Sequence, residues 1–366
     1  MINPFYFNFK KNELNELKKN LSKIFKTNNF VLGHFSNKFE KDFKKFNKSK
    51  FSISTNTCTS ALEIIFRSLN LKGKKIAIPT NSNFGSVVPA INAGAEVHLI
   101  NCDQFTLSPD IEIIKSAFKI IKFDALLIVH IGGYITQDIF KIKKFCDKNK
   151  IYLIEDCAHA HGSSVNGINA GNFGVAGAFS FFPTKPINTM EGGMIVTKNK
   201  KIYEDAQSMR NQGKRKSKFG GLHFDYGNSW RINELGAAMG IIQLKNYRSV
   251  IKQKLKLFNF IFKKIDNKKI KLCKLSHMDS HSFYKLIILT ERKKEFIDHL
   301  NDKEIIQGGG VYDTPIHKHP IFKNLKKIGN LKISEKILNQ HICIPFHLGL
   351  NKKEIDLITK SINNFI

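Results

Sequence analysis

The sequence predicts an α/β protein with a mostly parallel sheet. Short runs of β-branched and other apolar residues recur through residues 74–200, and segments with helical periodicity fill the gaps between them. With 366 residues, the chain also exceeds the ~250–300 residues at which a single core stops growing. We therefore expect a large domain over residues 1–245, with its N-terminal segment packed on a smaller α+β domain over residues 246–366.

Six strands and three helical segments support this prediction. The predicted strands are KKIAIP (74–79), EVHLIN (96–101), ALLIVHI (125–131), IYLIED (151–156), GAFSFF (177–182) and GGMIVT (192–197). The helical segments are IEIIKSAFKIIK (111–122), DIFKIKKFCDKNK (138–150) and a long pattern over residues 233–265. Because the last pattern is longer than an ordinary globular helix, we expect a kink or break near Tyr247.

The chain carries a formal net charge of +29, from 59 lysines and arginines against 30 acidic residues. A basic excess of this size can indicate nucleic-acid binding. Here the lysines are spread through the sequence without one compact block, as a general compositional bias produces. We therefore expect no nucleic acid as a partner, while a preference for anionic small molecules stays open.

The six cysteines are scattered, and no two of them form a CxxC pair. This spacing favours reduced thiols in a cytoplasmic protein over a disulfide framework or a zinc site, so we expect no metal. No apolar run approaches the ~20 residues that span a bilayer, and residues 1–20 lack the basic-then-apolar order of a signal peptide. We therefore expect no association with a membrane.

Reactive side chains fall at the carboxyl ends of the predicted strands, where open α/β sheets bind ligands. Asp156 closes one strand, and Ser180 and Lys185 lie around the end of another. Thr59 lies in the helix start TCTSALEII, where hydroxyls beside free backbone N–H groups suit a phosphate. Taken singly, each feature is more typical of a structural role: a helix cap, a helix start or a solvated lysine.

The combination of acid, phosphate-binding helix start and lysine fits pyridoxal 5′-phosphate (PLP). A lysine forms a Schiff base with the aldehyde of this cofactor, and an acid keeps the pyridine nitrogen protonated so that the ring can accept electrons. Removal of a lysine from water lowers its affinity for a proton, and the neutral amine is the form that attacks a carbonyl.

A series of ordered motifs resembles the DegT/DnrJ/EryC1/StrS sugar aminotransferases over nearly the whole chain. The matching segments are VLGHFSNKFEKDF, TCTSALEI, INAGAEVHLINCD, IEDCAHAHG, GNFGVAGAFSFFPTKPINTMEGGMI, NSWRINELGAAMGIIQL and VYDTPIHKHP. This resemblance implies fold type I of the PLP-dependent transferases, which is the aspartate aminotransferase-like fold. It also implies PLP as the cofactor.

The resemblance implies a role for individual residues. Lys185 corresponds to the Schiff-base lysine, and Asp156 to the partner of the pyridine nitrogen. Further cofactor-binding positions are Cys58, Thr59, His159 and Ser180. His317 falls in a region that lines the sugar site, and Arg231 is a second expected substrate-binding residue.

Three positions depart from the pattern of the family. Cys58 replaces a glycine beside the phosphate. The ring-stacking aromatic of the family falls on Asn83, but the neighbouring Phe84 offers the better stacking surface, so we expect Phe84 to bind the cofactor. The asparagine that reaches the phosphate of the neighbouring subunit falls on Ser229, with Asn228 as a substitute, which implies a homodimer.

The implied reaction moves an amino group from an amino acid, most often glutamate in the family, to a keto sugar on a nucleoside diphosphate. We expect a 4-keto-6-deoxyhexose as the acceptor, because such acceptors are common in the family, and the products serve surface polysaccharide or glycan biosynthesis. Two alternatives stay open, an aminotransferase for cyclitol or aminoshikimate-type substrates and a non-catalytic regulatory relative.

Two other enzyme classes fit the sequence poorly. Related keto-sugar 3-dehydratases carry histidine where this chain has Lys185. A nicotinamide-dependent dehydrogenase would need GxGxxG after its first strand, whereas AIPTNSNFG stands there.

Overall fold

The structure, a computed structural model, describes residues 1–6, 9–215, 221–272 and 275–365. Its strands are β1 Phe51–Thr55, β2 Lys75–Pro79, β3 Glu96–Ile100, β4 Ala125–Val129, β5 Tyr152–Asp156, β6 Ser164–Val165, β7 Ile168–Asn169, β8 Ala176–Ser180, β9 Gly193–Thr197, β10 Lys271–Leu272, β11 Leu286–Leu289, β12 Lys326–Lys327 and β13 His341–Ile344. Its α-helices are α1 Lys11–Thr27, α2 His34–Asn47, α3 Cys58–Ser68, α4 Phe84–Asn92, α5 Ile111–Ile120, α6 Ile139–Lys148, α7 Lys200–Met209, α8 Glu234–Lys264, α9 Lys293–Asn301, α10 Lys332–Leu338 and α11 Lys352–Asn363.

The centre of the fold is an eight-stranded sheet with the order β1-β9-β8-β5-β4-β2-β3-β12. From β8 to β12 all neighbours in this order are parallel, whereas β9 is antiparallel to both β1 and β8. The predicted α/β class is confirmed, and all six predicted strands are present with ends that shift by one or two residues. The sequence prediction missed β1 and β12 at the two edges of this sheet.

A buried carboxylate positions the strand that precedes the candidate site. Glu155 accepts hydrogen bonds from the backbone N–H groups of Gly171, Phe173 and Gly174 and contacts the His130 imidazole at 2.9 Å. Gly171 has a φ of 87°, and a Cβ there would approach Val196 Cγ2 to 2.6 Å. The loop before β8 is therefore held against β5, and the ends of the two strands stay in register.

Helix α8 runs from Glu234 to Lys264 without a break, so the break predicted near Tyr247 is wrong. Tyr247 is buried and packs on Phe46, with their ring centroids 5.8 Å apart. The first half of α8 packs into the core under the large sheet, and its second half contributes Phe258 and Ile261 to a separate core. Tertiary packing on both halves therefore supports one continuous helix of unusual length.

The separate core surrounds the three-stranded antiparallel sheet β10-β11-β13. Ile2 lies in this core and pairs with Ile305, so the chain's first residues contact its C-terminal part. Other C-terminal residues lie elsewhere: Ile316 and Phe322 pack on the large sheet, where β12 pairs with β3. The boundary between residues 245 and 246 stays a prediction.

Among the helices that the structure describes, none combines the length and the apolar character needed to cross a bilayer.

Candidate active site

A cavity of about 460 Å³ lies where β5 and β8 end and where helices α3 and α4 begin. The parallel strands of the sheet bring these segments to one edge, as the sequence prediction assumed. Six of the predicted site residues line this cavity together, namely Cys58, Thr59, Asp156, His159, Ser180 and Lys185.

Asp156 is buried at the end of β5, with 4% of its surface exposed. Its Oδ2 accepts a hydrogen bond from Ser86 Oγ at 2.7 Å, and its Oδ1 accepts one from the backbone N–H of Ala158 at 3.0 Å. Ser86 lies in the first turn of α4 and is fully buried. These two donors orient the carboxylate, and the sequence prediction missed the role of Ser86.

Lys185 is half-buried in the turn that follows β8. Its backbone N–H donates to Phe182 O at 2.8 Å, and its Nζ lies 4.7 Å from the centroid of the Tyr284 ring. Burial lowers the pKa of this amine to about 8, although Asp156 acts in the opposite direction. A larger neutral fraction near neutral pH makes the amine a better nucleophile and a better base than a solvated lysine.

The start of α3 offers a place for a phosphate. Thr57 caps this helix by accepting from Ser60 N–H. The Thr59 hydroxyl has no hydrogen-bond partner among the described residues. A Cβ on Gly85 would approach Thr59 Oγ1 to 2.7 Å, so this glycine keeps the space beside the hydroxyl clear. Free N–H groups at the helix start and a free hydroxyl suit an anion.

Aromatic rings from distant segments close another wall of the cavity. The His159 ring stacks on Tyr284, with centroids 4.3 Å apart, and on Tyr312 at 5.9 Å. His159 Nδ1 accepts from the backbone N–H of Gly132 at 3.3 Å, and burial lowers the pKa of this imidazole well below its usual value. The ring is therefore neutral at neutral pH and forms part of the cavity wall together with the two tyrosines.

The sequence profile of the DegT/DnrJ/EryC1/StrS aminotransferase family matches residues 11–363. The chain belongs to this family. GDP-perosamine synthase of Escherichia coli O157:H7 is 29% identical over 342 residues, which cover 91% of this chain and 90% of that relative. A UDP-4-amino-4,6-dideoxy-N-acetyl-beta-L-altrosamine transaminase of Campylobacter jejuni is 27% identical over 355 residues, which cover 92% of this chain and 91% of that relative.

A solved structure shares the fold. The Helicobacter pylori aminotransferase involved in the biosynthesis of pseudoaminic acid superposes with a TM-score of 0.87 at 24% identity, over 99% of this chain and 98% of that chain. The chain is thus an aminotransferase of a PLP-dependent family, with the α/β fold of its solved relatives.

Phe84 lies apart from the cavity of this aminotransferase. Its ring is 52% exposed and packs on Phe322 at 5.5 Å, whereas Asn83 and Gly85 line the cavity. Asn83 is the N-cap of α4, and its Oδ1 accepts from Gly85 N–H at 2.9 Å. The helix start turns successive side chains to different sides, so placement favours Asn83 over Phe84 as the residue that faces a cofactor.

His317 also lies outside the cavity. Its ring is buried, with Nδ1 at 2.7 Å from Thr80 Oγ1 and Nε2 at 2.8 Å from Glu335 Oε1. Because both ring nitrogens already have partners, this placement gives no support to the expected contact with sugar hydroxyls. The observed contacts join residues 316–318 to the end of β2.

The segment with Asn228, Ser229 and Arg231 does not reach the cavity of its own chain. Asn228 and Ser229 are exposed, and Arg231 Nη2 donates to Ser229 Oγ at 3.1 Å. Arg231 Nη1 also donates to Asn211 Oδ1 at 2.9 Å. The cofactor-binding and substrate-binding roles expected for these residues stay predictions, and they require a second subunit.

Proposed function

We propose that this aminotransferase moves an amino group from an amino acid, with glutamate as the donor, to a keto sugar carried on a nucleoside diphosphate. The observation that supports the chemistry best is the half-buried Lys185 amine in one cavity with the buried Asp156 carboxylate. The sugar class is supported by the names of the relatives, and a 4-keto-6-deoxyhexose is the acceptor that we favour.

The residues in the cavity fit PLP. The helix start at Cys58 and Thr59, together with Ser180, would hold the phosphate, since Gly85 leaves room beside the Thr59 hydroxyl. Asp156 would hold the ring nitrogen, and Lys185 the aldehyde carbon. When bound, PLP supplies an electron sink for the carbon that loses its proton.

The side chains of this chain then perform the remaining tasks. Lys185 Nζ would take up the proton that the amino-acid carbon loses and hold it for return, which requires a pKa near the working pH. Asp156, fixed by Ser86 and Ala158, keeps its negative charge directed at one point. The neutral His159 and Tyr312 exclude water from one wall, which strengthens these charge interactions.

We further propose a cytoplasmic homodimer in which each chain lends Asn228, Ser229 and Arg231 to the site of its partner. The exposure of Asn228 and Ser229 supports this arrangement, and closed two-fold dimers are the commonest oligomers. The cytoplasmic location is supported by the cysteines of the sequence, which are scattered and form no CxxC pair.

Subunit mixing tests the shared site. A chain with Lys185→Ala and a chain with Asn228→Ala and Ser229→Ala should each be nearly inactive alone. Dimers that combine them contain one intact site, so mixing after mild unfolding should restore part of the activity. A monomer in solution with full activity, or no gain on mixing, would contradict the proposal.

The reaction itself is tested one half at a time by cofactor absorbance. The holoenzyme should react with L-glutamate, and the product form should return to its starting spectrum with a nucleotide keto sugar from a panel. Mass spectrometry should then detect the nucleotide amino sugar. If the enzyme aminates a free cyclic ketone and refuses every nucleotide sugar, the cyclitol alternative replaces this proposal.

A further inference from the structure

A second cavity, of about 610 Å³, meets the first one at Lys185. Thr184, Lys185 and Tyr284 line both cavities. The other walls of the second cavity come from the middle of helix α8, from residues 346–348, from the prolines on either side of Lys185, and from N-terminal residues, namely Pro4 to Tyr6, Phe9, Lys10 and Glu13. Lys185 therefore also borders a second compartment, which none of the expected cofactor-binding residues besides Lys185 lines.

Two lysines that have no acidic partner among the described residues are found here: Lys254 in the wall of this compartment, and Lys285 behind the wall, against Phe5. Lys254 lines the compartment, is half-buried, and donates from Nζ to the backbone carbonyl of Phe283 at 2.9 Å. Lys285 is also half-buried, and its Nζ lies 3.8 Å from the ring centroid of Phe5, which lines the compartment. Burial and the charge of Lys285 lower the pKa of Lys254 to about 8. Burial likewise lowers the pKa of Lys285.

No carboxylate compensates these two charges within the part of the chain that the structure describes. Glu13 lines the compartment, but its oxygens accept from the backbone N–H of Lys10 at 2.9 Å and from Asn246 Nδ2 at 3.2 Å. Cys343 lies near Lys285, yet burial raises the pKa of this thiol to about 12, so it stays uncharged. Two neighbouring cations withdrawn from water without a counter-charge are costly, and a bound anion removes that cost.

The position of the lysines limits which anion this can be. Lys185 Nζ and Lys285 Nζ lie 4.7 Å and 5.5 Å from the centroid of the same ring, that of Tyr284. Both amines therefore lie beside one ring, and the charge of Lys285 acts on the amine that performs proton transfer. In an amino acid the carboxylates lie within a few bonds of the reacting carbon. In a nucleotide sugar the whole hexose ring separates the reacting carbon from the diphosphate.

We propose that Lys254 and Lys285 bind a carboxylate of the amino donor in this second cavity. This assignment rests on the proposed function, because it places the first substrate of that reaction. The compartment would select a small carboxylic amino acid, because its lysines lie close to the cavity in which the cofactor would be held.

The test replaces each lysine in the holoenzyme with methionine, giving Lys254→Met, Lys285→Met and the double variant. Lys256→Met is the matched control, since Lys256 is an exposed lysine of the same helix. Single-turnover absorbance measures the reaction with L-glutamate and, separately, the reaction of the aminated enzyme with the keto sugar. Calorimetric titration with glutarate, a dicarboxylate that cannot react, measures anion binding without any turnover.

We expect the apparent dissociation constants for L-glutamate and for glutarate to rise by about tenfold or more in each single variant, because each loses a charged contact. The constant for the keto sugar and all values for Lys256→Met should stay unchanged. Lys254→Arg, which keeps the charge, should retain most of the glutarate binding, and urea unfolding should show that the methionine variants fold.

Two results would overturn the assignment. A weaker keto-sugar reaction with unchanged glutarate binding would show that the lysines hold the diphosphate, and unchanged constants for both substrates would show a purely structural role. If the wild-type enzyme binds glutarate through these lysines but transfers no amino group, the proposed function fails while the anion site stands.

Discussion

Replacement of Ser86 by alanine should slow the reaction with the amino donor, although Ser86 itself touches neither substrate nor reacting atom in the proposed mechanism. Its Oγ donates to Asp156 Oδ2 at 2.7 Å, and both side chains are nearly excluded from water. The variant leaves the backbone N–H of Ala158 as the one remaining donor of the two that hold the carboxylate. The negative charge would then be free to turn away from the ring nitrogen.

The size of the effect follows from the strength of this bond. A hydrogen bond to a charged group contributes roughly 1.5–3 kcal/mol, and about 1.4 kcal/mol corresponds to tenfold in rate. If the lost hydrogen bond mainly destabilises the transition state, in which charge develops on the cofactor ring, the donor reaction should slow by about 10- to 100-fold. The dissociation constant for glutamate should change much less, because Ser86 lies on the Asp156 side of the cofactor site.

Ser82→Ala is the matched control. Ser82 is also buried and lies four residues earlier, but its hydroxyl has no hydrogen-bond partner among the residues that the structure describes. Single-turnover absorbance with L-glutamate should therefore separate the two variants, with Ser82→Ala close to the wild type. A wild-type rate in Ser86→Ala, or an equal loss in both variants, would refute the role assigned to the Ser86–Asp156 bond.

Four further outcomes are expected. Borohydride reduction of the holoenzyme should attach the cofactor to the peptide that contains Lys185, and a label on another lysine by peptide mapping would contradict the assignment. Asp156→Ala should still attach the cofactor at Lys185 but lose nearly all amino transfer, so wild-type turnover in this variant would support a mere capping role. The apoenzyme should bind PLP faster as the pH rises through about 8, because the neutral Lys185 amine attacks the aldehyde and its pKa is lowered to about 8. A binding rate that does not change between pH 6.5 and 9 would contradict this role of Lys185. Met190 has a φ of 66°, which is strained for a residue with a Cβ. Met190→Gly should therefore raise the free energy of unfolding in urea by about 0.5–1 kcal/mol, and Met190→Ala should not. Equal effects of the two variants would exclude backbone strain.

The strands of the central sheet were predictable because their environment is uniform. A strand such as β4 is buried on both faces, so it appears in the sequence as a continuous apolar run. The polar ends of β5 and β8 were predictable for a related reason, since Asp156 is the last residue of one apolar run and Lys185 lies in the turn that follows the other. Short edge strands such as β12 carry no such signal, because Lys326 and Lys327 are exposed.

Three residues of the site, Ser86, Tyr284 and Tyr312, could not be predicted from the sequence. Ser86 contacts Asp156 across 70 positions, and the stack of Tyr284 and Tyr312 on His159 joins segments more than a hundred residues apart. Their signals in the sequence are ordinary: a serine in a helix start and two tyrosines in loops or strand ends. No periodicity connects them.

The sequence by itself therefore determined the α/β class and the main strands, because the burial of a strand is visible in its own residues. It also predicted a lysine and an acid that the structure brings into one cavity. Only the tertiary structure decided which neighbours face the cavity. The rotation of the α4 start turns Asn83 inward and leaves Phe84 on Phe322, and long-range packing holds α8 continuous past Tyr247. Packing likewise places the two ring nitrogens of His317 in hydrogen bonds with Thr80 and Glu335. These outcomes depend on the direction in which each side chain points. That direction is set when helices and strands pack against one another, and local residue order does not reveal it.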